Sequence, residues 1–304
     1  MPVLASINGV VLPAEEARVS VLDNGFTFGD SVYEVLRTYG GRPFAPGRHF
    51  RRLRASAARL GFAVPPPDEE LLTRAESLHE LSTNDESYLR IIVSRGVGDC
   101  SYALERVLGP TIVMICKPLP PNPDWHYERG IRVAAVDVRR NHPRALDPAI
   151  KSSNLLNNLL ATREAHERGA DEPLLLNQEG FLAEGSSANL FLVREGALHT
   201  PPLSAGLLAG ITREVVLELA AREGMALGEE SLRLEDLLSA DEAFLTSTTR
   251  EIVPIRQVDE RMIGDGRPGA ITLRLLREFR AFAPGHCGRA GLSAAASPSA
   301  RTSG

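Results

Sequence analysis

The chain has 304 residues, 43% of them hydrophobic, enough to bury a large core and long enough for two domains. A net charge of −5 argues against a general nucleic-acid binder, and with no apolar run near about 18–20 residues no membrane span is expected. The three cysteines lack metal spacing, the seven histidines form no ligand pair at helical spacing, and the N-terminus lacks a charged segment followed by an apolar block; the expectation is a metal-free cytoplasmic protein without a secretion signal.

In chain order, residues 4–12 read as a hairpin turning at Asn8-Gly9. Residues 23–30 form a glycine-rich loop without the Gly-Lys ending of a P-loop. A strand over 32–39 follows, with Tyr33, Val35 and Arg37 on one face and Val32, Glu34 and Leu36 on the other. A face carrying Tyr and Arg beside an apolar residue is either functional or half-exposed. Residues 47–61 predict a basic amphipathic helix with Phe50, Leu53, Ala57 and Leu60 as its buried stripe; most of its arginines read as a solvated face. After Pro65-Pro66-Pro67 come a helix over 68–81, a strand over 88–94 with Tyr88, Arg90, Ile92 and Ser94 on one face, a loop over 95–102 and a strand over 111–117. The first domain is thus drawn over 1–117, and proline-rich sequence places a linker over 118–129.

The second domain is drawn over 130–283. It opens with a strand over 131–138 and continues with a helix from Ser152 or Ser153 through Leu155, Leu156, Leu159, Leu160 and Ala165 to 168. Strands are expected over 172–176, 182–183, 190–193 and 197–200. Gly210-Ile211-Thr212 then opens a helical apolar run, Val215, Val216, Leu217, Leu219 and Ala220. Such a start leaves backbone N–H groups able to hold a phosphate, but it also describes an ordinary turn and N-cap. A short helix over 232–238 and a strand over 242–246 follow; Ser247-Thr248-Thr249 is a phosphate cup or a polar turn. A helix spans 269–282, and the Gly-, Ala-, Ser- and Pro-rich tail over 284–304 is expected to be disordered.

Lys117 and Lys151 are the only lysines among 34 basic residues. A guanidinium is effectively never a free nucleophile, whereas a lysine can lose its proton and condense with an aldehyde. Lys151, between Ile150 and Ser152-Ser153-Asn154, is a candidate for that role or a chance survivor of arginine bias; Lys117, beside the proline-rich linker, reads as incidental.

Together these stretches resemble the class IV, fold-type-IV family of pyridoxal phosphate (PLP) aminotransferases over about residues 8–282. The signature is carried by Glu184, Ser186, Asn189, Leu190-Phe191, Leu198-His199-Thr200 and Leu208-Ala209-Gly210-Ile211-Thr212-Arg213. The resemblance implies a two-domain α+β or α/β fold, with a small N-terminal α/β domain and a larger C-terminal domain of mixed, barrel-like sheet and helices. It implies PLP on Lys151, which also moves the substrate proton, with Glu184 against the pyridine nitrogen and Leu208 on the ring. Arg52, one turn after His49, would hold the phosphate with Gly210, Ile211, Thr212 and Thr248. Tyr33, Arg37, Tyr88, Arg90 and Thr249 would bind substrate. A homodimer is implied, its loop near 96–102 completing the partner's site.

The resemblance divides over substrate. Tyr33-Glu34-Val35 resembles the D-amino-acid branch, but Cys100 and Tyr102 stand where that branch carries an Arg-x-His pair. Arg37 and the Tyr88-x-Arg90 pair resemble the branched-chain branch, which usually has Gly in place of Val35 and Tyr in place of Leu155. Transfer from a branched-chain L-amino acid to 2-oxoglutarate is the expectation, with D-amino-acid transfer as the alternative and aminodeoxychorismate lyase third. Retention of Lys151, Glu184 and Arg52 together speaks against a cofactor-free scaffold.

Overall fold

The computed structural model describes residues 3–293, which separate into two compact units. The first is assembled from three stretches: residues up to Pro120, Ile150–Asn154, and those from Ala281 onward. The second takes Pro121–Ala149 and Leu155–Arg280.

In the first unit, Leu4–Ile7 (β1) and Val10–Pro13 (β2) are joined by Asn8 and Gly9, both at positive φ as a tight hairpin turn demands. Within the stretch expected as loop, Asp23 caps a four-residue helix, Asn24–Thr27 (α1), by accepting from the Gly25 N–H at 2.8 Å. Ser31–Tyr39 (β3), Arg42–Pro43 (β4), Pro46–Arg59 (α2), Asp68–Ser82 (α3), Ser87–Ser94 (β5) and Thr111–Pro118 (β6) follow. The six strands form one antiparallel sheet in the order β2-β1-β6-β5-β3-β4. Phe50, Leu53 and Ala57 of α2 and Leu71, Leu72 and Leu78 of α3 cover one face, packing with Val32, Leu36, Leu89, Ile91 and Val93. Each large apolar side chain so buried contributes about 1.5–3 kcal/mol. A one-residue slip of β3 would therefore exchange that core for Tyr33 and Arg37. Those two, with Val35, Tyr88 and Arg90, occupy the other, half-buried face. Glu34 is the one ionisable residue of β3 on the core face, a fully buried carboxylate between Val32 and Leu36.

The second unit begins with Trp125–Glu128 (α4), one helical turn inside the stretch expected as linker. Ile131–Ala135 (β7) stops short of residue 138, and Leu156–Glu167 (α5) follows. Next come Glu172–Leu176 (β8), Leu182–Gly185 (β9), Asn189–Arg194 (β10), Ala197–Thr200 (β11) and Ile211–Arg222 (α6). Leu227–Glu229 (β12), Leu234–Leu238 (α7), Glu242–Ser247 (β13), Glu251–Val258 (β14), Arg261–Met262 (β15) and Ala270–Phe282 (α8) complete it. The sheet runs β12-β11-β10-β13-β14-β7-β8-β9, and β9 pairs back onto β10 at Glu184 and Asn189. That last pairing closes six strands into a barrel, which removes their free edges. Ile131, Val133, Leu174, Leu190, Leu192, Leu245, Val253 and Ile255 belong to its core.

Three expectations are corrected. The helix expected from Ser152 or Ser153 starts only at Leu156, because the preceding residues run extended along β3. The Tyr33 N–H donates to Lys151 O and the Ser153 N–H to Ser31 O, each at 2.9 Å, with Ser152 bridging Val32. β4 pairs only with Thr38 and Tyr39, so it leaves this end of β3 available. Residues 150–154 therefore join the first unit and interrupt the block drawn over 130–283. The tail expected to be disordered from 284 instead forms a 3-10 turn, Ala283–His286, and a short helix, Gly288–Ser293 (α9). Cys287 bridges Phe44, and Leu292 packs on the first unit's core. The small residues there serve close packing: a Cβ on Gly291 would lie 2.1 Å from His286 O. Residues 294–304 of that expectation lie outside the described residues.

Candidate active site

The first unit gathers one set of candidate residues on the open face of its sheet. The Lys151 Nζ lies 4.6 Å from the centroid of the Tyr33 ring, and the Arg90 guanidinium carbon lies 4.2 Å from the same centroid. Lys151 is seated through its backbone, whose N–H donates to Ser56 Oγ at 3.1 Å. The Arg90 Nε is buried without a hydrogen-bond partner among the described residues. Arg37 and Tyr88 share this face but pack elsewhere, Arg37 over Tyr39 at 4.1 Å and Tyr88 under Lys117 at 4.7 Å. Tyr33, Arg90 and Lys151 are thus the expected residues that meet here.

Beneath them, on the core face, lies a buried ionic trio. Glu34 accepts from Arg52 Nε at 2.7 Å and from a second Arg52 nitrogen at 2.8 Å; its other neighbour is His49 Nδ1 at 2.7 Å. Burial alone would raise the Glu34 pKa, but the Arg52 guanidinium and then His49 outweigh it and hold the carboxyl far below the ordinary range. For His49 burial is the larger influence and pushes its pKa below 6.5; Glu34 opposes this, and the charges of Arg52 and Lys151 add to it. An ionised Glu34 only accepts, so His49 carries its proton on Nδ1, and its buried Nε2 has no partner among the described residues. Arg52, expected from the resemblance on a phosphate, therefore directs two nitrogens to Glu34. Glu34 went unassigned at the sequence level, although a carboxylate between Val32 and Leu36 signals a buried cation.

The second unit supplies a second set, at the closing pair of the barrel. Glu184 is 5% exposed and accepts from Arg140 Nε at 2.9 Å, the Leu208 N–H at 3.1 Å and Asn189 Nδ2 at 3.3 Å. Asn189 Nδ2 also donates to Leu208 O at 2.9 Å, so one amide ties the Leu208 turn to the carboxylate. Arg140, which the sequence reading missed, is fixed in turn by Asn157 Oδ1 at 2.9 Å. Its signal was an arginine beside a second one, Arg139, just before the Pro-rich turn at 143–148.

Two turns further on, α6 starts at Ile211 from Gly210, with no side chain capping its first-turn amides. Thr212 Oγ1, Thr246 Oγ1 and Ser247 Oγ are buried and lack partners among the described residues. Uncapped amides at a helix N-terminus together with orphaned hydroxyls form a donor set that suits an anion. Thr248 and Thr249 lie in the turn between β13 and β14. Glu172 braces both flanks, accepting from Ser186 N at 2.9 Å and from Arg250 at 2.9 Å.

The loop near 96–102 belongs to the first unit. Gly96, at φ +117°, approaches Gly109 so closely that a Cβ would lie 1.6 Å from its carbonyl oxygen. Asp99 pairs with Arg106 at 3.0 Å, and Tyr102 is 88% exposed. Among the described residues no group of three or more His, Cys, Asp or Glu could hold a metal ion, and no helix is long and apolar enough to cross a membrane.

Comparisons with known proteins bear on both sets. The family model for class IV amino-transferases matches residues 31–258, a stretch that contains Tyr33, Arg52, Lys151, Glu184 and Thr212. A "putative branched-chain-amino-acid aminotransferase" of Methanocaldococcus jannaschii is 40% identical over 90% of this chain and 94% of its own length. The D-alanine aminotransferase of Bacillus licheniformis is 33% identical over 87% of this chain and 92% of its own. Among solved structures, the branched-chain amino acid aminotransferase of Escherichia coli superimposes with a TM-score of 0.87 at 30% identity, covering 93% of this chain and 95% of that one. A second branched-chain amino acid aminotransferase, solved with pyridoxamine 5'-phosphate, reaches the same TM-score of 0.87. The chain belongs to the class IV aminotransferase family.

Proposed function

We propose that the protein is a PLP-dependent transaminase that moves an amino group from a branched-chain L-amino acid to 2-oxoglutarate. The observation that carries the reading is the meeting of the single candidate amine, Lys151, with Tyr33 and Arg90 on the open face of a sheet. The residues present fit the cofactor: an amine, a buried carboxylate for a pyridine nitrogen, and an uncapped helix start with orphaned hydroxyls for a phosphate. Bound PLP supplies the electron sink that acidifies the α-hydrogen of an amino acid.

This chain's residues do the rest. Lys151 Nζ takes the α-proton as general base and returns it as general acid. Glu184, held by Arg140 and Asn189, keeps a proton on the pyridine nitrogen. With the cofactor bound, the first-turn amides at Ile211 and Thr212, the hydroxyls of Thr212 and Thr248 and, as the resemblance implies, Arg52 would hold its phosphate, with Gly210 allowing the close turn and Leu208 set against the ring. Arg90 binds a substrate carboxylate beside Tyr33, and Arg37, Tyr88 and Thr249 complete the substrate set.

A D-amino-acid transaminase is the second reading, favoured by Val35 and by the D-alanine aminotransferase among the relatives. A homodimer fits α5, which presents Leu156, Leu159 and Leu160 at 63%, 64% and 37% exposure. A cytoplasmic setting fits three free cysteines. A panel of L- and D-amino acids with 2-oxoglutarate tests the reading. Leucine, isoleucine, valine and glutamate should all react, within about 10–200-fold for each added methylene. If D-alanine or D-glutamate outpaced every L-amino acid, the branched-chain reading would be wrong.

A further inference from the structure

The second unit carries a cleft of about 750 Å³ lined by Tyr127, Leu273, Leu276 and five arginines, Arg129, Arg256, Arg267, Arg277 and Arg280. None of the residues assigned above to cofactor or substrate lines it. Of the five, Arg280 is neutralised: its Nε donates to Glu251 at 2.7 Å and its head lies 4.7 Å from the Tyr127 ring. Arg129, Arg256, Arg267 and Arg277 form no ion pair among the described residues, although elsewhere in the chain arginines such as Arg54, Arg95, Arg140 and Arg168 do. The Nε of Arg256 is buried and has no hydrogen-bond partner among the described residues. Glu128 is the one carboxylate on the lining.

Four guanidinium groups around one cleft repel one another, and a buried N–H without an acceptor is unfavourable by itself. Both are relieved by an anion that accepts forked hydrogen bonds, for which guanidinium and phosphate geometries match. The apolar floor of Tyr127, Leu273 and Leu276 suits a ring rather than a bare ion, and the volume falls in the range of small-ligand pockets. A net charge of −5 disfavours a long polyanion. We propose that this cleft binds a phosphorylated small organic molecule, its phosphate held by Arg256, Arg267 and Arg277 and its organic part lying against Tyr127 and Leu276.

The test is calorimetric titration of the cofactor-loaded full-length chain with ADP as the probe. One ADP should bind per chain. The Arg267→Gln, Arg277→Gln double variant changes two exposed side chains, so its thermal unfolding and transaminase rate should match the parent. Its ADP affinity should fall by roughly tenfold or more for each guanidinium removed. Absence of ADP binding at millimolar concentration would overturn the proposal, as would unchanged affinity in the double variant. Competition by sodium sulfate equal to that of ADP at matched ionic strength would also overturn it, by reducing the cleft to an unselective anion patch. The binding readouts do not depend on the transaminase substrate.

Discussion

Gly210→Ala isolates the link between the barrel closure and the start of α6. Gly210 sits at φ −72°, a conformation alanine adopts freely, so backbone strain plays no part. The new Cβ would stand 1.9 Å from Asn189 Oδ1 and 3.1 Å from its Cγ, against a side chain only 5% exposed. Two responses are open. If the α6 start is pushed away, the strain resembles overpacking and destabilises by about 1–3 kcal/mol. If Asn189 turns instead, its amide leaves Leu208 O and Glu184, and losing the bond to a charged partner costs about 1.5–3 kcal/mol. These are alternatives rather than a sum. Alanine also narrows the unfolded ensemble, offsetting about 0.4–1 kcal/mol, so the net loss should be about 0.5–2.5 kcal/mol. Urea unfolding followed by a barrel-specific probe, with PLP affinity in parallel, measures it. Asn189→Ala removes the obstructing amide, so the double variant should be less destabilised than the two single changes added together. Strict additivity, or a Gly210→Ala protein as stable as the parent, would refute the reasoning.

Three further outcomes are expected. Borohydride reduction followed by peptide mapping should place a cofactor adduct on Lys151, and Lys151→Ala should abolish turnover; an adduct on Lys117 would overturn the assignment. Because His49 is held neutral below its ordinary 6.5, the unfolded chain binds more protons below that pH, so stability should fall as pH drops through about 6.5. Glu34, with its pKa depressed, adds a loss only at still lower pH, below about 4.5. His49→Asn should therefore flatten the urea midpoint between pH 7.5 and 5.5, and an unchanged slope would show that other groups carry it. Arg90→Ala should lower kcat/KM for glutamate by about one to two decades while sparing leucine, as fits a lost charge-assisted contact of about 1.5–3 kcal/mol to the second, side-chain carboxylate; equal losses would remove Arg90 from recognition of that side-chain carboxylate.

Periodicity made most elements legible. The alternation of 32–39 separates Val32 and Leu36 from Tyr33 and Arg37, and the 3.6-residue stripe of Phe50, Leu53 and Ala57 locates α2. What stayed hidden depends on long-range pairing. β14 was missed because Pro254 reads as a strand breaker; in the fold β7 joins only from Ile255, so the proline takes no place in that ladder. The stretch after Lys151 looked helical because Leu155, Leu156 and Leu159 carry helical spacing, whereas its first residues are captured by the open end of β3. Arg140 and Glu34 were overlooked for one reason: each acts through a partner far away in sequence, Glu184 or Arg52, and the local signals that mark each residue do not name its partner.

The three-stretch assembly of the first unit bears on how the chain is made. During synthesis its first 120 residues emerge with the sheet and both covering helices, yet the segment that seats Lys151 along β3 follows some thirty residues later. Cys287 and Leu292, which meet Phe44 and the same core, follow more than 130 residues after that segment. The stretch up to Pro120 therefore leaves the ribosome with one strand end and part of its core uncovered, and it keeps them so until the residues after Arg280 are out. Such a product exposes apolar surface during translation, and synthesis halted before residue 280 yields a fragment in which neither unit is finished.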